Sequence, residues 1–139
     1  MPYQRHLAGN SIMDGEHPAW VVLLIEDDHG VRQVLRETLE RSGYSVYEAC
    51  DGVDGINMYK EHGDSIHLVL SDVMMPRKNG REVYDEIRRL KEDVKVLFMS
   101  GYSADIMDNQ MIRERGLNFM PKPIRPQELL VRIREILDA

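Results

Sequence analysis

One cysteine, Cys50, stands alone among 139 residues, so no internal disulfide is possible, and the chain suits a reducing cytosol. Positive charge is also scarce. Eighteen Lys and Arg face 24 Asp and Glu, and a net charge of −6 argues against a nucleic-acid-binding domain. No apolar run approaches the roughly 18 residues that a membrane span needs. The first twenty residues, MPYQRHLAGNSIMDGEHPAW, hold no apolar stretch of the secretory type. No GxGxxG or GxxxxGK[ST] loop is present, which removes support for a nucleotide site. No GxSxG elbow is present either, since Ser100-Gly101 has no glycine two residues before the serine. His6, His17, His29, His62 and His67 show no ligand spacing with one another or with Cys50, so no zinc site is expected.

What is there is an ordinary globular composition, 42% apolar and 30% charged, in a length sufficient for one domain with a real core. Residues 1–18 have no clear period and contain Gly9, Gly15 and Pro18; they read as a tail or linker, with the domain running over 19–139. Short apolar runs at 21–25, 44–49, 68–70, 94–99 and 117–120 read as strands, the continuous ones as strands buried on both faces. Helical patterns separate them, which predicts an α/β fold with a five-stranded parallel sheet.

The helices have recognisable ends and inner faces. Asp28 and Asp51 suit N-caps, Gly43 and Gly63 suit stops, and Pro126 suits the first turn of the last helix. The expected inner faces are Val31, Val34, Leu35 and Leu39; Val53, Ile56 and Tyr59; Val83, Ile87 and Leu90; and Leu129, Leu130, Ile133, Ile136 and Leu137. A fourth helix around 104–115 has a poor stripe and should be the least firmly packed. Arg88, Arg89 and Lys91 read as a solvated face near a helix C-terminus, and Cys50 as a packed, inert thiol.

Four of the apolar runs end in polar residues of different kinds: Glu26-Asp27-Asp28, Ser71-Asp72, Ser100-Gly101 and Pro121-Lys122-Pro123. Singly, each is an ordinary cap or surface charge. Together they place clustered acids, one more acid, a hydroxyl and an amine on a single edge, because parallel strands all end there. In an open parallel sheet, that edge is the ligand crevice. Clustered carboxylates suit a divalent cation, and an amine beside them suits an anion.

The segments VVLLIEDD, LVLSDVMMPRKNG, VLFMSGY and FMPKPI, in this order and spacing, resemble the receiver domain of two-component response regulators, over about residues 21–137. VLFMSGY and FMPKPI are especially similar to receivers of hybrid sensor histidine kinases. The resemblance implies a flavodoxin-like, doubly wound (βα)5 fold with strand order 2-1-3-4-5, for which chemotaxis receivers are a standing example. It implies that Asp72 is the phosphoacceptor, assisted by Lys122 and Ser100. Glu26, Asp27, Asp72 and the backbone carbonyl of Met74 would hold Mg2+. Ser100 and Phe119 would form the switch, and the Lys122–Pro123 bond would be cis. The implied phosphodonor partner is a sensor histidine kinase or a histidine phosphotransfer protein in the cytoplasm, with no membrane and no nucleic acid involved. A homodimer would form through the fourth helix, fifth strand and last helix. The implied catalysis extends only to the domain's own phosphorylation and dephosphorylation.

Two departures from the family pattern stand out. Lys78 occupies a commonly apolar position between Pro76 and Gly80, and Pro121 makes a stiff Pro-Lys-Pro. Neither removes a chemical group. Two other classes compete with a receiver. One is an interaction module of the same fold that works without phosphorylation. The other is a phosphatase or phosphotransferase of another α/β family, which wants a DxD that Ser71-Asp72-Val73-Met74 does not supply.

Overall fold

Val21–Ile25 contains no polar residue, and in the computed structural model it is β1, at most 4% exposed along its length. The structure describes residues 20–75, 77–101, 112 and 114–139. The tail at 1–18 and the boundary at 19 lie outside the described residues, as do Ile106, Met107 and Met111 of the predicted fourth helix. Ile112, from the end of that helix, is fully buried.

The other strands are β2 (Ser45–Ala49), β3 (Leu68–Asp72), β4 (Val96–Ser100) and β5 (Asn118–Pro121). They form one parallel sheet in the order β2-β1-β3-β4-β5. Helices α1 (His29–Arg41), α2 (Gly52–His62), α3 (Gly80–Leu90) and a C-terminal helix (Pro126–Asp138) cover it. A 3-10 turn, Gly63–Ser65, follows α2. None of the described helices is long and apolar enough to cross a membrane.

Alternation along β1 explains the two-faced wrapping. Leu23 and Ile25 join Val69, Phe98, Ile56, Val83 and Ile87 in a core beneath α2 and α3. Val22 and Leu24 join Leu68, Leu70, Leu97, Leu35, Leu39, Leu129 and Ile133 in a second core beneath α1 and the C-terminal helix. Each central strand is apolar on both sides because each side has a helix layer to meet.

The helix signals are met by specific bonds. Asp28 accepts from the Val31 amide at 2.9 Å and Asp51 from the Asp54 amide at 2.8 Å. Asn79 and Glu82 form a reciprocal capping box. Gly43 has φ of 98°, where its missing Cβ avoids strain, and ends α1 with the Tyr44 amide donating back to the Leu39 carbonyl. The far end of the C-terminal helix is held by Lys95, whose amine donates to the carbonyls of Ile136, Leu137 and Ala139.

Several expectations need correction. β4 begins at Val96, not at 94, because the Val94 amide donates to the Lys91 carbonyl in the turn that leaves α3. β5 runs one residue later than the apolar run, since the Leu117 amide is still tied to the Ile112 carbonyl. Val34 and Leu90 are more than half exposed and Val31 is 37% exposed, so α1 turns only Leu35 and Leu39 fully inward. Cys50 is exposed at the turn from β2 to α2, donating weakly to Asp54.

Candidate functional site

Strand register brings the polar endings together. Ile25 pairs with Ser71, Asp72 with Met99, and Ser100 with Pro121. Glu26 and Asp72 therefore stand one rung beyond Ile25 and Ser71. Ser100 stands one rung further, and Lys122 follows Pro121. The Lys122 amide continues the ladder by donating to the Ser100 carbonyl at 2.7 Å. The Lys122–Pro123 bond is cis.

The Lys122 amine reaches back across the edge. It donates to Asp72 Oδ2 at 2.8 Å and to Glu26 Oε1 at 3.0 Å. Asp72 Oδ1 accepts from the Met74 amide at 3.3 Å, and Glu26 Oε2 from the Asp28 amide at 3.0 Å. Glu26, Asp72 and Ser100 are buried, whereas Asp27 is exposed. Burial, then the charge of Asp72, pushes the Glu26 carboxyl up to about 7, against the opposing pull of the Asp28 amide and Lys122. For Lys122, burial pulls the amine down, but its bonds to Asp72 and Glu26 win and raise it.

Glu26, Asp27 and Asp72 can bring one oxygen each within 4.8 Å of one another. Three hard, anionic oxygen donors fit magnesium or calcium and do not fit a soft metal. Lys122 satisfies only two of the carboxylate oxygens, so the group still carries net negative charge.

The described residues of the loop after β3 pack against the starts of α2 and α3. Asp72 sits where Gly80 begins α3, and a Cβ on Gly80 would lie 2.8 Å from the Asp72 carbonyl oxygen. The Gly80 amide donates to the Val73 carbonyl at 2.8 Å. Gly52, at the start of α2, packs directly on the Lys78 backbone. Lys78 pairs with Glu86, and Arg77, at φ of 71°, pairs with Asp51 at 3.3 Å. Met74 is about half exposed, and its amide is the group that bonds Asp72. Above the edge, Gly101 has nothing within 4 Å of its absent Cβ among the described residues, and an apolar groove of about 600 Å3 opens there, lined by Val31, Val34, Leu35, Gly101, Lys122 and Ile124.

Of the predicted residues, Glu26, Asp27, Asp72 and Lys122 converge, and Ser100 stands on the adjoining rung. Phe119 does not join them. It pairs with Phe98 one rung earlier, half-buried against the core under α2 and α3. Sequence reading missed Arg32, which is largely buried, donates to the Glu26 carbonyl at 2.8 Å and pairs with Glu48 at 3.4 Å. The available signal was a cation four residues after a capping acid, too common to single out.

The family model of the response regulator receiver domain matches residues 22–134. This chain belongs to that family. The sensor kinase CckA of Brucella abortus is 34% identical over 117 residues, which cover 84% of this chain and 12% of that protein. The response regulator MprA of Mycobacterium leprae is 37% identical over 122 residues, covering 84% of this chain and 50% of that protein. The crystal structure of the receiver domain of the hybrid histidine kinase CckA superposes with a TM-score of 0.71 at 31% identity, covering 84% of this chain and 98% of that one. A CheY-like receiver protein from Methanospirillum hungatei gives 0.77 at 26% identity, covering 87% and 95%. The receiver described here thus spans at most about half the length of these two full-length relatives. It has the fold and strand order of CheY-like receivers and is a two-component signalling domain.

Proposed function

We propose that this receiver takes a phosphoryl group onto Asp72 from the phosphohistidine of a sensor histidine kinase or a histidine phosphotransfer protein. The observation that carries the reading is the position of Asp72. It is a buried carboxylate at the end of the central strand, bonded to Lys122 and within oxygen reach of Glu26 and Asp27.

In the proposed step an Asp72 oxygen attacks phosphorus. The new O–P bond forms as the P–N bond breaks, and that bond's electron pair leaves on the imidazole. Asp27, Asp72 and the Met74 carbonyl would hold magnesium directly, and Glu26, one carbon longer, from the outer shell. When bound, the ion neutralises charge that otherwise builds between carboxylates and phosphoryl oxygens. Lys122 gives its point charge to a phosphoryl oxygen. Ser100 donates its hydroxyl to another. Gly101 leaves the approach to phosphorus open.

The groove beside Lys122 suits the apolar face of a helix carrying the donor histidine, with Val31, Val34 and Ile124 as contacts. Signalling follows from Ser100 being drawn toward the phosphoryl group and Phe119 repacking beside β4. A second copy or an output partner would read this change on the face of β5 and the C-terminal helix, where Phe119, Pro121 and Val131 line another groove. The domain's catalysis extends only to its own phosphorylation and dephosphorylation, and it works in the cytoplasm where its donor is made.

Intact-mass measurement after incubation with magnesium and acetyl phosphate tests the proposal. One phosphoryl adduct is expected on the wild type and none on Asp72→Asn. An adduct on that variant at the wild-type rate would overturn the assignment.

A further inference from the structure

Both backbone polar groups of Glu26 are tied to β2. Its amide donates directly to the Ala49 carbonyl at 3.1 Å. Its carbonyl accepts from Arg32 Nη1 at 2.8 Å, and Arg32 Nε pairs with Glu48 Oε1 at 3.4 Å. Glu48 is the β2 residue just before Ala49, in register with Leu24. Its other oxygen is held by Arg36 at 3.1 Å. The third direction of the Arg32 fork is used too, with Nη2 3.1 Å from His29 Nδ1. The Arg32 and Glu48 side chains are only 13% and 15% exposed, so this is a packed device and not a chance meeting of surface charges.

The carbonyl that Arg32 holds belongs to the peptide joining Glu26 to Asp27. Fixing that carbonyl fixes the peptide plane, and the plane sets where the Asp27 side chain leaves the backbone. Asp27 itself is exposed, and its own side chain is not locked by packing. Its aim therefore depends on the backbone beneath it.

We propose that Arg32, held by Glu48, is a positioning residue for the acidic pair, setting the affinity for a divalent cation without touching it. The inference rests on the metal reading given above. It has a sign that charge alone does not reproduce. Deleting a cation near an acidic site should, by Coulomb's law, tighten binding of a second cation. Loss of positioning should weaken it, and groups that orient metal ligands from outside typically matter by about 10–100-fold in affinity.

The test is magnesium titration by calorimetry on the whole chain, with melting in EDTA to confirm folding. Arg32→Ala should bind magnesium about tenfold more weakly. Arg32→Lys should recover part of this, because a point charge can serve the carbonyl or Glu48 but not both in fixed geometry. Glu48→Gln should also weaken binding, but loss of an anion alone has that sign too, so Arg32→Lys, which conserves charge, serves if Arg32→Ala does not fold. Arg36→Ala, which removes equal charge and holds Glu48 but does not contact Glu26, should stay close to the wild type. Unchanged or tighter binding in both Arg32→Ala and Glu48→Gln overturns the inference, as does an equal loss in Arg36→Ala. A wild type that takes up no magnesium overturns the metal reading itself, and the inference with it.

Discussion

Asp72 and Lys122, fifty residues apart in sequence, are joined by a 2.8 Å hydrogen bond between a carboxylate oxygen and an amine. The same amine holds Glu26, so one cation satisfies the two most buried acids of the edge. Replacing Lys122 by Met strands both. The Lys122 side chain is 27% exposed, which reduces the cost below that of a fully buried pair. A loss of about 1–2 kcal/mol is expected in metal-free urea unfolding at neutral pH. The raised Lys122 value places this contribution at full strength below the ordinary lysine range, fading only as pH rises through the elevated folded value. No loss in Lys122→Met at neutral pH would show that the bonds contribute nothing net.

Asp27 is the exposed member of the acidic cluster, and no cation lies within salt-bridge distance of it among the described residues. Asp27→Ala should abolish magnesium uptake in calorimetry. Stability without metal should be unchanged or slightly higher, because one of three crowded anions is gone. An unaltered magnesium titration would refute the site.

His67 reports on the opposite edge. Its Nδ1 accepts from the Val21 amide at 2.9 Å, and its ring meets Trp20 edge-on with centroids 5.1 Å apart. Burial, then Lys91, lowers its value from the ordinary 6.5. The unfolded chain therefore binds this proton more readily. Its contribution to stability is full above 6.5 and is lost as pH falls through the lower folded value. Fluorescence of Trp20, the single tryptophan, should be quenched with a midpoint below 6.5, and His67→Gln should remove that transition. A midpoint above 6.5 would contradict the burial argument.

Gly80 has no room for a methyl group. A Cβ would lie 2.8 Å from the Asp72 carbonyl oxygen and 3.0 Å from Val73 Cα, both backbone atoms that cannot swing aside. Gly80→Ala should cost about 1–3 kcal/mol in thermal or urea unfolding, as overpacking does. It should also slow acetyl-phosphate labelling by displacing the end of β3. Wild-type values on both measures would mean that the loop yields more easily than its contacts imply.

How far these features could be read beforehand depended on the kind of signal. Val21–Ile25 and its fellow strands announce themselves because both sheet faces are covered, leaving no polar residue inside β1. That the acids, hydroxyl and amine meet on one edge was legible because a parallel sheet collects strand endings whatever the intervening helices contain. Val31 and Val34 were misread for a physical reason. An apolar stripe on a helix does not say whether a neighbouring element covers it or leaves it open as a groove, and α1 does some of each. Leu90, in the last turn of α3, was misread in the same way. Arg32 was invisible because an arginine in an exposed first turn and one folded onto a backbone carbonyl look identical in sequence.

The ladder that sets Asp72 beside Met99 and Ser100 beside Pro121 also makes this edge sensitive to counting. Most substitutions in β4 would alter one contact. Deleting a single residue from its middle would do something different in kind. Ser100 would slide to the rung beside Asp72, Gly101 would inherit the place beside Pro121, and every remaining side chain past the deletion would face the opposite core. The chemistry of the crevice and the partition of the two cores thus share one reading frame, and insertions or deletions in a strand should be far less tolerated here than changes of residue type.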